Sequence, residues 1–180
     1  LKKLLALIAG SWMLVGCGGP DKPVDATAEL RPFMEKVYAN WQSMDIAKIA
    51  PYYAKDAGLV YFDVAPLQYK GWAEYEAGFK KASEEWKSIQ ITFEPGLKAS
   101  KSGNIAWVTY TQSIVITPKE GEPIKAQTRG TDILEKRGEN WVIIHEHVSV
   151  PMAESAPPPA PKAKAAKPAK ATAKKGRRRR

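Results

Sequence analysis

Thr128-Arg129-Gly130-Thr131-Asp132-Ile133-Leu134-Glu135-Lys136, then after a short break Trp141-Val142-Ile143-Ile144-His145-Glu146-His147-Val148-Ser149, is the stretch on which the reading of the fold turns. The break contains Gly138-Glu139-Asn140, residues that favour tight turns, and the flanking segments are rich in β-branched and aromatic side chains. This is an antiparallel hairpin. Side chains alternate across a strand, so Trp141, Ile143, His145, His147 and Ser149 are expected on one face, with Val142, Ile144, Glu146, Val148 and Val150 on the other. Arg129 and Thr131 share a face of the preceding strand, where they can meet the histidine set across the hairpin.

Working outward, Ile105 to Ile116 and Ile124 to Leu134 have the same period, and Ile89, Ile91 and Phe93 start it. Pro95-Gly96, Ser102-Gly103 and Glu120-Gly121 supply the intervening turns. Before them the period is helical. Leu30, Phe33, Met34, Val37, Tyr38 and Trp41 form one apolar stripe, with Thr27 placed to cap it and Pro32 tolerable in the first turn. Asp45 caps a shorter helix carrying Ile46, Ile49, Ala50 and Tyr53, with Pro51 near its end. A strand from Leu59 to Asp63 and a third helix from Gly71 to Trp86 follow, the latter striped by Trp72, Tyr75, Phe79, Ala82 and Trp86. Strands longer than ten residues twist, and a twisted sheet must curl around something. Three amphipathic helices are what remains to fill it, so the expected class is α+β.

In this order of elements, residues 28–151 resemble the nuclear transport factor 2-like (NTF2-like) superfamily, specifically its SnoaL-like and ketosteroid-isomerase-like members. The carriers are Tyr53-Ala54-Lys55-Asp56-Ala57, Tyr69-Lys70-Gly71, Gly103-Asn104-Ile105-Ala106-Trp107-Val108 and the terminal hairpin quoted above. The resemblance implies a cone-shaped α+β barrel, a strongly curved, mostly antiparallel sheet wrapped around three N-terminal helices. It also implies a pocket opening between sheet and helices, and frequent homodimers through the sheet.

A pocket holding Arg129, Thr131, His145, His147 and Ser149, walled by Tyr38, Trp41, Tyr61 and Trp107, would suit a small anionic or carbonyl-bearing ligand, or a partner protein. The bland alternative is a buried hydrogen-bond network that only fixes the sheet. Ketosteroid isomerases use an aspartate base and oxyanion donors that include a protonated aspartate. By resemblance Asp63, in Tyr61-Phe62-Asp63, matches the base, and Tyr38 falls one position from the oxyanion tyrosine. Arg129 stands where the protonated aspartate would be, which argues against steroid-type isomerisation. Acid–base catalysis of another kind, as isomerase, hydrolase or cyclase, stays open with Asp63 as base and Arg129, His145 or His147 steering substrate. His145 and His147 lack a third ligand for a metal. No phosphate-cradling glycine loop, serine triad motif or paired-cysteine zinc site is present, so no cofactor is expected.

The chain of 180 residues carries a net charge of +9, and the excess is confined to its end. Ala156 to Arg180 holds six Lys, four Arg and no acid, whereas residues 26–155 hold 15 basic and 17 acidic side chains. The middle is therefore not the basic surface that a nucleic-acid-binding domain needs. Residues 152–180, Ala/Pro/Lys/Arg-rich, bury too little to offset chain entropy and are expected to be a disordered tail. At the other end, Leu1-Lys2-Lys3 precedes an apolar run from Leu4 to Val15 that is too short to span a bilayer. Residues 1–16 read as a signal peptide. Leu14-Val15-Gly16-Cys17 resembles the bacterial lipobox, in which the cysteine is lipidated, and Cys17 is the chain's one cysteine. Residues 17–27 then form the lipidated cysteine and a tether. Gly18 after the cysteine resembles outer-membrane sorting rather than inner. The expected setting is a periplasm-facing lipoprotein of the bacterial envelope whose tail contacts anionic envelope polymers. In the native host, Cys17→Ser should accumulate the full-length precursor and lose incorporation of labelled palmitate. Normal processing of that variant would refute the lipobox.

Overall fold

A computed structural model describes residues 22–152. The expected signal peptide, Cys17 and the tail from residue 153 lie outside the described residues. The elements run β1 (Val24–Asp25), α1 (Thr27–Gln42), α2 (Ile46–Ile49), a single 3-10 turn (Ala50–Tyr52), β2 (Val60–Tyr61), β3 (Tyr69–Lys70), α3 (Trp72–Ser83), β4 (Trp86–Phe93), β5 (Lys98–Ser102), β6 (Ile105–Pro118), β7 (Ile124–Arg137) and β8 (Asn140–Ser149). Six strands form one antiparallel sheet in the order β1-β5-β6-β7-β8, with β4 pairing the far half of β6 beside β5. The α+β class and the curved sheet on three helices are as expected. The sheet remains open, however, because neither β1 nor β4 pairs with β8.

Each helix is placed by the stripe its sequence carries. Leu30, Met34, Val37, Tyr38 and Trp41 of α1 are all buried on the sheet, each such side chain contributing about 1.5–3 kcal/mol. Thr27 does not cap α1. It is the first helical residue, its amide is bound by Asp25 Oδ1 at 2.8 Å, and its hydroxyl accepts from the Ala99 amide at 3.0 Å. Asp45 does cap α2, through the Ala47 amide at 3.0 Å. The third helix ends at Ser83, earlier than expected, and Trp86 begins β4. Val24 and Asp25, read as tether, are paired to Lys101 and Ser100. β1, β3 and β5 have no apolar alternation of their own and are fixed by their neighbours.

The β7–β8 pairing corrects the expected faces of the last strand. His145 is opposite Ile133 but Ile143 is opposite Leu134, leaving Ile144 as an unpartnered bulge. Beyond the bulge the parity reverses. Ile143, Glu146 and Val148 point toward the helices and are buried, while His145, His147 and Ser149 share the outer face with Arg129 and Thr131.

On the inner face of β6 and β7, Tyr110 and Gly130 are direct partners. The Tyr110 ring lies across Gly130 so closely that a Cβ there would meet its atoms at 2.2–2.4 Å. Glycine at this position lets Tyr110 reach Asp132, two residues further along the same face, at 3.1 Å. Gly130→Ala should therefore displace a buried ring and lower stability by about 1–3 kcal/mol in urea unfolding. An unchanged midpoint would show that the ring has room to move.

Candidate functional site

The sheet is longer than the helices that cover it, and a cavity of about 220 Å³ lies at the uncovered end. Its sheet wall is built from cross-strand rows: Ile89, Ile116 and Ile124; Ile91, Ile114 and Ala126; then Gln112 and Thr128. Tyr38 and Trp41 of α1, Tyr75 and Phe79 of α3, and Trp86 close the opposite side, while Asp63, Glu146, Val148 and Val150 complete it. The rim is apolar. Val64, Ile124 and Val150 line the cavity yet are 53, 58 and 43% exposed.

Beneath this greasy wall sits a carboxyl network that the sequence reading missed. Asp132 and Glu146 are direct cross-strand partners on the inner face, and both are buried. Glu146 Oε2 accepts from the Tyr53 hydroxyl at 2.6 Å, and Oε1 accepts from the Tyr75 hydroxyl. Tyr53 in turn accepts from Trp41 Nε1 at 3.0 Å. Tyr110 donates to Asp132 Oδ1, and Tyr38 hydrogen-bonds to Tyr110. Asp132 Oδ2, Gln112 Oε1 and Thr128 Oγ1 are buried with no hydrogen-bond partner.

Two carboxylates side by side without a cation cannot both stay ionised cheaply. Burial, with the neighbouring Glu146 charge adding to it, pushes the Asp132 carboxyl well above the ordinary aspartate range. Burial also raises Glu146 to about 7, against the tyrosine hydrogen bonds that favour its carboxylate. Asp63 is raised as well, again by burial, although the Val64 amide donates to its Oδ1 at 2.6 Å. All three carboxyls thus hold their protons more firmly than exposed ones do, and raised proton affinity of this kind is a feature of acid–base sites.

The expected site residues separate into two groups. Asp63, Tyr38 and Trp41 line the cavity. Arg129, Thr131, His147 and Ser149 do come together, with Arg129 Nε donating to Ser149 Oγ at 3.2 Å, but in a separate hollow of about 270 Å³ on the outer face. His145 Nδ1 is 2.7 Å from the Val60 carbonyl, and Phe62 packs edge-on against both histidines. Trp107, between Ser100 and Ile133, is half-buried on that same outer face. Tyr61 is fully buried core, stacked on Tyr75, and its hydroxyl donates to the Ala54 carbonyl at 2.9 Å. The cation that was to hold an anionic ligand is thus outside the cavity, because the bulge at Ile144 and the parity of β7 both turn that cluster outward.

The profile of the SnoaL-like domain matches residues 30–153. The chain belongs to the SnoaL-like domain family. Its solved relatives carry the NTF2-like fold. An NTF2-like protein of unknown function from Pseudomonas putida KT2440 is 25% identical, covering 71% of this chain and 88% of its own, with a TM-score of 0.60. A Streptomyces avermitilis protein of the NTF2-like family, provisionally described as a dehydratase, is 16% identical over 71% of this chain and 99% of its own, with a TM-score of 0.63. The association domain of Caenorhabditis elegans CaMKII is 15% identical over 69% and 95%, with a TM-score of 0.55. No curated protein matches significantly. Within this SnoaL-like domain the inner carboxyls, not the outer histidines, occupy the cavity.

The raised carboxyl of Glu146 fixes the sign of a pH effect. Below about pH 4.5 the acid is neutral in both folded and unfolded chains. Between there and about pH 7 the unfolded chain ionises it while the fold keeps the proton, so stability falls as pH rises. The shift corresponds to on the order of 3 kcal/mol. Urea unfolding at pH 5 and pH 8 should show a loss of at least this order in the native sequence, and Glu146→Gln should make the slope distinctly shallower. An unaltered pH slope in the variant would show that Glu146 ionises freely in the fold.

Proposed function

We propose that this SnoaL-like domain binds a small, mostly apolar molecule inside the cone, with its polar end turned toward Asp63, Glu146, Gln112 and Thr128. The observation that carries this reading is the cavity itself. It has walls of isoleucine and aromatic side chains, yet two of the residues lining it, Gln112 and Thr128, hold side-chain oxygens buried without a hydrogen-bond partner. Unpartnered buried polar atoms are costly, and a ligand that meets them recovers that cost on binding. In this reading Cys17 holds the domain on the periplasmic side of the outer membrane, and the basic tail contacts anionic envelope polymers. A homodimer through the outer face of the sheet is part of the same proposal.

A second reading, acid–base catalysis, has its own support in the raised proton affinity of Asp63 and Glu146. In that case Asp63, at the open end, takes or gives the proton and Glu146 holds its counterpart. Arg129, His145 and His147 have no part in it.

The neutral fluorophore N-phenyl-1-naphthylamine tests the binding reading. It should bind saturably at one site, and Ala126→Phe, which fills the middle of the sheet wall, should abolish that binding without lowering the melting temperature. Undiminished binding by a folded Ala126→Phe protein would place the ligand elsewhere.

A further inference from the structure

The ionisable groups that line the cavity, its tyrosine hydroxyls aside, are carboxyls. Every tyrosine hydroxyl near it is engaged: Tyr53 and Tyr75 on Glu146, Tyr110 on Asp132, and Tyr38 on Tyr110. The Trp41 indole N–H is engaged by Tyr53. Among the polar residues lining the space, Asp63 and Glu146 bring carboxyls, and Gln112 and Thr128 bring side-chain oxygens that are buried without a partner. Among the described residues no Lys, Arg or His lines the cavity. A carboxylate would bring negative charge beside two acids with no cation in the lining. A ligand with N–H donors and a positive charge meets every one of these groups favourably.

The walls are consistent with such a ligand. Tyr38, Trp41, Tyr75, Phe79 and Trp86 supply five aromatic rings around the same space, and aromatic faces attract organic cations that have left bulk water. Two acids beside aromatic rings, without a resident cation, leave the site short of one positive charge.

We infer that the cavity is selective for a hydrophobic amine: a ring-sized apolar body that packs on the isoleucine rows and carries a protonated ammonium between Asp63 and Glu146. The inference rests on the proposed binding of a small apolar molecule in the cone and names the chemical class of that molecule. Gln112 Oε1 and Thr128 Oγ1 accept further ammonium hydrogens or a neighbouring hydroxyl.

Four probes with one apolar body separate this inference from the reading beneath it. 2-Naphthylmethylamine, 2-naphthylmethanol, 2-acetylnaphthalene and 2-naphthoate are titrated into the full chain by calorimetry at pH 7.5. The amine should bind at least tenfold more tightly than the alcohol or the ketone, with the carboxylate weaker still. Asp63→Asn, at the solvent-facing end, and Glu146→Gln should each bring amine and alcohol several-fold closer. Equal binding of alcohol or ketone, or an amine preference that survives both substitutions, would overturn the amine inference and leave the apolar site standing. Failure of all four to bind would overturn both.

Discussion

Opposite Ile133 stands His145, and opposite Leu134 stands Ile143, so Ile144 has no partner across the terminal hairpin. Residues three apart in a regular strand lie on opposite faces. Ile143 and Glu146 are three apart, yet both are buried on the helix side, and only the extra residue between them permits this. A hairpin without the bulge would have to expose one of them. Both main-chain positions are also held from outside the strand, since Ala54 donates to the Ile143 carbonyl at 2.9 Å and Phe62 to the Glu146 carbonyl at 2.8 Å. The inner placement of the carboxyl, the outer placement of the histidines and the chemistry of the cavity all follow from that one insertion.

Once inside, Glu146 acts as a tie between layers. Tyr53, just after the 3-10 turn, and Tyr75, in α3, both reach it, so two separate helical segments are fastened to the same point of β8. A hydrogen bond of this kind contributes a net ~0.5–1.5 kcal/mol, more where the acceptor is charged. The aromatic rings that deliver those hydroxyls pack on one another, Tyr53 on Trp72 at 4.9 Å and Tyr75 on Tyr61 at 5.3 Å. A polar floor held by so many rings keeps its shape when the space above it fills, which is what an orienting site needs.

Much of this was legible beforehand because the signals are periodic. The stripes of α1 and α3, the hairpin turns and the long strands β6, β7 and β8 each follow from the spacing of apolar side chains. The strand faces did not follow. Strict alternation through Val142-Ile143-Ile144-His145 puts Ile143 on the histidine face, and nothing in that run marks the bulge. The same register that set Thr131 against His147 also sets Asp132 against Glu146, and two acids opposite each other within an apolar alternation was the available warning. The valines and isoleucines around Glu146 give that face the pattern of plain core. β5, Lys-Ala-Ser-Lys-Ser, has no hydrophobic signal and is a strand only because β1 and β6 flank it.

The arrangement of β1 bears on how the domain meets its surroundings. Val24 pairs with Lys101, which pairs with Ala106, whereas the cavity opens beside Ile114 and Ile116. Ten residues of β6 separate those levels, up to ~33 Å along the strand. The polypeptide enters at one pole and the chamber gapes at the other. Whatever is joined ahead of Lys22 therefore meets the domain at the end remote from the chamber's mouth, and leaves that mouth clear.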